Sequence, residues 1–194
     1  VTYDPMGDGL VFLTPPLEKE TEITGPVAAK LFVSSETEDA DLFLVLRVFT
    51  PDMKEIVFKG ANDPHTPVAI GWLRASHRKL DAEQTLPYRP YHTHDEVQPL
   101  TPGEVYELDI EVWVTSIVLP EGYRLGLAVR GRDYVWSGYE PGSPEIAGRV
   151  QYGVGPFKHE MKGNRPLDVY GGKVTLHTGP DHPSHVLLPI IPEK

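Results

Sequence analysis

The sequence predicts an all-β domain folded as a two-layer sandwich or jelly roll, and three observations carry that expectation. Short runs rich in Val, Leu, Ile and Phe recur along the whole chain, and no stretch sustains a 3.6-residue apolar period. Pro-Gly, Gly-Pro and Asp-Pro pairs punctuate the runs, and 20 Pro and 18 Gly in 194 residues suit many short strands joined by turns. A count of roughly eight to ten strands is too many for an open antiparallel sheet, which must fold on itself to bury both sets of apolar faces.

The elements follow in order. Leu10 to Leu13 is the first run, stopped by Pro15-Pro16 because proline has no N–H to give a ladder. Ala28 to Ser35 is the second. From Asp41 to Thr50, Leu42, Leu44, Leu46 and Val48 take one face and Phe43, Val45, Arg47 and Phe49 the other, so this strand, apolar on both sides, is central. Glu55 to Lys59 returns as its hairpin partner across Pro51-Asp52. Glu104 to Thr115 alternates cleanly: Tyr106, Leu108, Ile110, Val112 and Val114 face inward, and Glu107, Asp109 and Glu111 face water. Tyr123 to Gly131 repeats the scheme with Tyr123, Leu125, Leu127 and Val129 inward and Arg124 and Arg130 outward, so the acidic and basic outer faces are expected to pair across strands. Gly131 to Gly172 reads as a long Gly-rich excursion packed by Trp136, Tyr139, Tyr152 and Phe157. Strand character resumes at Lys173 to Thr178 and at Val186 to Ile191.

Composition narrows the function classes. The formal net charge is −10 and the basic residues form no stripe, so neither nucleic acid nor an anionic membrane is an expected partner. With no cysteine there is no disulfide framework and no thiolate metal site. No apolar run approaches the ~18 residues of a membrane helix, and the start lacks the basic-then-apolar order of a signal peptide. The cytoplasm is the expected compartment. The chain opens on Val1 rather than Met, as a piece of a longer polypeptide or a processed chain does. Residues 1–194 are expected to form one sandwich domain of such a polypeptide.

No catalytic residue is assigned. None of Ser34, Ser35, Ser76, Ser116, Ser137, Ser143 or Ser184 lies in a Gly-x-Ser-x-Gly elbow. Ser76-His77 and Ser184-His185 are adjacent pairs, and neighbours on a strand point to opposite faces. His92-Thr93-His94 has the spacing that puts two imidazoles on one face of a strand, as in metal-binding cupins. The carboxylate expected four or five residues on is replaced by Gln98 and Pro99, so the reading is a solvated loop with no metal and no cofactor. Trp72, Tyr88, Tyr91, Trp113 and Trp136 are the aromatics available for a binding face, with a carbohydrate-binding module as the rival reading to an interdomain contact. Trp113 sits among the polar positions of its strand and is expected to be exposed or docked. Arg74, Arg78 and Arg89 with His77 form the one basic cluster, the Arg-and-aromatic composition of interface centres. The interface candidates are therefore Trp72, Arg74, His77, Arg78, Arg89 and Trp113.

Several stretches together resemble the C-terminal domain of the X-prolyl dipeptidyl aminopeptidase and cocaine esterase family. They are Leu10-Val-Phe-Leu-Thr-Pro-Pro-Leu17, Ile23-Thr-Gly-Pro-Val27 with Ala29-Lys-Leu-Phe-Val-Ser-Ser35, Asp39-Ala-Asp-Leu42, Gly71-Trp-Leu-Arg-Ala-Ser-His-Arg78, Leu100-Thr-Pro-Gly-Glu104, Gly122-Tyr-Arg-Leu125 and Gly179-Pro-Asp-His-Pro-Ser-His185. The resemblance implies a galactose-binding-like jelly roll behind an α/β-hydrolase domain that carries the Ser, Asp and His triad. It implies a non-catalytic accessory role, with that hydrolase domain as partner and its substrate cleft partly walled by this domain; a homo-oligomer is the further partner expected. The chain departs from the esterase pattern in a longer Lys59 to Ala69 excursion and in the extended loop before Gly172.

Overall fold

A computed structural model describes residues 1–60, 63–136, 145–146, 149–150, 153–154, 158–159 and 163–192. The longest strand, β3 (Thr21–Ser35), organises one sheet. One edge of β3 is covered from Thr21 to Val33 by β7 (Tyr106–Leu119). Its other edge is taken in succession by β12 (His185–Leu187) and β11 (Val174–His177), and β1 (Thr2–Tyr3) adds to β11. In the second sheet β2 (Leu10–Leu13), β8 (Arg124–Arg130) and β4 (Asp41–Phe49) lie side by side. β5 (Glu55–Ile56) and β6 (Ala69–Arg74) share the far edge of β4. All these pairings are antiparallel, and the expected β-sandwich is borne out. A short hairpin, β9 (Glu145–Ile146) with β10 (Arg149–Val150), a 3₁₀ turn at Ala75–His77 and a single-turn helix α1 (Leu167–Tyr170) complete the described elements.

Alternation places the core as the sequence predicts. Leu42, Leu44, Leu46 and Val48 of β4 meet Val27, Leu31 and Val33 of β3 and Leu108, Ile110 and Val112 of β7 in one dry layer. On the outer face of β4, Val45 packs under Ala128 and Tyr134 in a second cluster, which explains why this central strand is apolar on both sides. Trp136 stacks on His65, with ring centroids 5.1 Å apart. Thus the start of the Gly-rich excursion does pack by an aromatic. Tyr139, Tyr152, Phe157, Ser137 and Ser143 lie outside the described residues.

Two expectations are corrected. The acids of β7 do not pair with the arginines of β8, because the two strands belong to different sheets; alternation fixes a side chain's face but not its strand's neighbour. Instead Lys30 of β3 binds Glu107 and, at 3.1 Å, Asp109, and Arg124 donates to the Thr14 carbonyl. The second correction concerns Val114, which is 56% exposed rather than inward. Pro26 lies opposite Val114 and Val27 opposite Val112, so Trp113 is the extra residue of a β-bulge. Proline has no N–H to give, the ladder is interrupted at Pro26, and every β7 side chain beyond it changes face: Thr115 and Leu119 are buried.

Candidate functional site

β6 and β7 are the edge strands of opposite sheets, and they touch at Gly71. A Cβ at Gly71 would stand 2.0 Å from the Glu111 carbonyl oxygen and 2.8 Å from the Val112 Cα, so only glycine lets the two backbones approach this closely. Alternation along β6 turns Ala69, Gly71 and Leu73 inward and leaves Trp72 on the outer face, 42% exposed. Across the contact the bulge holds Trp113 out of its sheet, 65% exposed. The two indoles flank one groove of about 500 Å³ whose remaining walls include Pro90, Tyr91, His92, His94 and Glu111.

Trp72 is braced from behind. Arg74 grips Asp41 with both ends of its fork, Nε to Oδ1 at 2.8 Å and Nη2 to Oδ2 at 3.0 Å, and lies over the Tyr170 ring at 4.3 Å. Arg165 donates from Nε to the same carboxylate at 2.7 Å and covers Phe43. His159, bonded through Nδ1 to Asp133 at 2.9 Å, meets both Trp72 and Phe43 edge-on. A second cavity of about 360 Å³ lies on this side of Trp72, lined by Asp41, Phe43, His159 and Arg165.

The loop from Arg78 to Leu100 supplies the other wall. Leu80 bridges His92, and the His92 Nε2–H donates to the Asp109 carbonyl at 3.0 Å, which caps part of the β7 edge. In that tautomer Nδ1 is buried with no hydrogen-bond partner among the described residues, and burial pushes the His92 pKa down. His94 has a left-handed φ of 53° and sets its Nδ1 3.3 Å from the Nδ1 of His77. The His92 and His94 rings are 6.0 Å apart, and among the described residues no three His, Asp or Glu side chains converge on a point that a metal ion could occupy.

Of the six interface candidates, the structure brings Trp72 and Trp113 into one groove, with His77 touching it through His94. Arg74 lines the cavity behind Trp72. Arg78 is turned onto its own chain, donating to the Ala75 and Gln98 carbonyls and lying over Tyr106 at 4.6 Å. Arg89 sits at an exposed turn paired with Leu86 and does not line the groove. Sequence reasoning missed Gly71 and Glu111 as parts of this site. The signal for the bulge was Pro26, inside a strand whose partner continues.

Ser76, Ser184 and Ser34 make structural hydrogen bonds. Ser76 Oγ donates to the buried Asp39 carboxylate at 2.6 Å, which also accepts from the Ser76 and Ala40 amides and from Tyr170 OH. Ser184 Oγ donates to the His177 carbonyl at 2.7 Å and accepts from the Phe32 amide. Ser34 Oγ does meet an imidazole, His177 Nε2 at 2.9 Å, but among the described residues no carboxylate hydrogen-bonds that histidine. A base without an orienting acid, beside a serine on a regular strand, lacks the geometry of a nucleophilic triad.

Residues 1–187 match the family described as the X-Pro dipeptidyl-peptidase C-terminal non-catalytic domain. The chain belongs to that family. Within the wider group, the chain is 28% identical over 186 residues to the cocaine esterase of Rhodococcus sp., covering 95% of this chain and 26% of that protein. It is 33% identical over 132 residues to a putative serine esterase of Mycobacterium bovis, covering 64% of this chain and 19% of the esterase. A CocE/NonD family hydrolase from Staphylococcus aureus superposes with a TM-score of 0.82 at 28% identity, over 99% of this chain and 32% of that one. The chain thus spans a third or less of each of these relatives. No helix among the described residues is long and apolar enough to cross a membrane.

Proposed function

We propose that this X-Pro dipeptidyl-peptidase C-terminal domain serves as the non-catalytic part of a larger serine hydrolase of the acyl esterase or dipeptidyl-peptidase type. It packs on the α/β-hydrolase domain through the Trp72–Trp113 groove and helps wall the substrate cleft. The observation that carries this reading is the convergence of two exposed tryptophans, one held out on a bulge and one braced by Asp41, Arg74 and His159, on a single groove. Large rings fixed in orientation lose little entropy on binding and are the commonest anchors of protein interfaces. The part of each relative that this chain does not cover leaves ample polypeptide to carry the reactive groups.

The test is a Trp72→Ala, Trp113→Ala double variant made both in this chain and in the intact parent polypeptide. In the chain alone the melting point should move little, because both rings are substantially exposed. In the parent, loss of two anchors worth roughly 2 kcal/mol each should raise KM for an ester or X-Pro anilide and speed thermal inactivation. Unchanged KM and inactivation in the parent would defeat the reading.

A further inference from the structure

The sandwich is closed on one flank and open on the other. Where β6 meets β7 the backbones touch at Gly71, but between β2 and β12 the sheets splay and leave an apolar slot of about 280 Å³. Phe12, Leu13, Leu127, Leu176, Val186 and Leu188 line it. Its floor reaches the core residues Leu31 and Leu46. β2 pairs with β8 on one side and has no partner on the other among the described residues. Such a free edge is normally blunted by charge, proline or a bulge. Here Val11, Phe12 and Leu13 are 45%, 37% and 44% exposed with no charge among them, and Val186 and Leu188 supply the apolar wall across the slot. An apolar free edge beside an open slot is a candidate contact surface.

The occupant follows from where the chain enters the fold. Val1 exchanges both backbone hydrogen bonds with Leu176, at 2.7 and 2.8 Å, and the register Thr2↔Thr175 carries any residues preceding Val1 past His177 to Thr178 on the rim of the slot. The relatives extend well beyond the part that this chain covers, in a family described as a C-terminal domain, and polypeptide joined ahead of Val1 would enter on that side. We infer that an apolar side chain from the hydrolase portion of the same polypeptide inserts between β2 and β12 and completes the core that this chain leaves open. The inference rests on the proposed function, since it needs the hydrolase portion to be present.

Amide exchange tests it by comparing this chain alone with the intact parent. The expected result is that residues 10–13 and 185–187 exchange about tenfold or more slowly in the parent. A Phe12→Glu substitution in the parent should return residues 185–187 to their rate in the chain alone. Protection confined to the Trp72–Trp113 groove would overturn the slot while leaving the proposed function standing, whereas protection at neither surface would defeat both. Protection that grows with the concentration of the chain alone would identify a second copy as the occupant and overturn the inference. So would slot protection in the parent that is insensitive to Phe12→Glu.

Discussion

The contact at Gly71 makes a demanding prediction. A Gly71→Ala substitution adds one methyl group, and its carbon would stand 2.0 Å from the Glu111 carbonyl oxygen, where ordinary contact begins near 3.4 Å. The atoms it meets are backbone, including Val112 Cα at 2.8 Å, so no flexible side chain can move aside. β7 itself is held along its length by β3. The relief must come from β6, which would have to shift by more than 1 Å against β4, to which it is paired from Ala69 to Arg74. Overpacking a tight site costs about 1–3 kcal/mol, and a backbone clash belongs at the upper end, ~3 kcal/mol. For a domain of this size that corresponds to a fall of roughly 6–12 °C in melting temperature. Thermal unfolding followed by near-ultraviolet circular dichroism, with urea titration to check that the slope is unchanged, measures it. Val118→Ala on the exposed part of β7 should move stability by less than ~0.5 kcal/mol and serves as the comparison. A Gly71→Ala protein melting within ~2 °C of the parent would refute the close approach of the two edges and, with it, the shape of the groove.

Two further outcomes follow from the charged groups around the site. Asp41→Asn leaves Arg74 and Arg165 facing a neutral amide at a position where the carboxylate side chain is 9% exposed, and should cost about 3 kcal/mol in urea denaturation, the low end for a broken buried pair because Arg74 stays partly wet. Amide exchange at Leu167–Tyr170 should quicken in the same variant, since Arg74 bonds the Asn164 carbonyl and lies over Tyr170; unchanged exchange there would show that the clamp is not what holds the segment. His92 gives a pH dependence. Burial lowers its folded pKa below the unfolded value of about 6.5, so the unfolded chain takes up the proton first as pH falls. Its contribution to stability is therefore full above about pH 6.5 and is lost as pH drops through the folded pKa. His92→Gln should lose less urea midpoint than the parent chain on going from about pH 7.5 to 5.5, and equal losses would refute the assignment.

Most of the long strands were legible because their signal is local, but β6, with glycine at its centre, was not read as a strand. β4 could be read as central from its own residues, since a strand buried on both faces needs apolar side chains at consecutive positions, and Leu42 to Val48 supplies them. Which sheet a strand joins is not a local property: Arg124 and Arg130 gave no sign that they lie across the sandwich from Glu107 and Asp109. The exposure of Trp113 was read correctly from the polar positions before it, but the same alternation misplaced Val114 because Pro26, far away in sequence, forces the bulge. The partners of the basic cluster were not legible, because those of Arg74 and Arg78, among them Asp41, Asn164 and Gln98, come from other segments of the chain. A long cation beside tryptophan in sequence is ambiguous between an anchor at an interface and a strut that holds the anchor, and for Arg74 the fold chose the strut.

The two flanks of the sandwich are linked by a common economy of surface. A chain of this length buries roughly 70% of what its unfolded form exposes, and the remainder should place polar groups wherever apolar contact is not needed. Here exposed apolar residues occupy both sheet edges: Trp72, Trp113 and Val114 at the closed flank, Val11, Phe12 and Leu13 at the open one. A domain selected to stand alone would gain by charging those edges, because each exposed ring or leucine is an invitation to unwanted pairing with no return in stability. On the proposed function, edges left apolar on both flanks would be covered in use, and the closed flank, with its orientations fixed by Gly71 and Asp41, would be the one that recognises a specific surface rather than merely being buried by it.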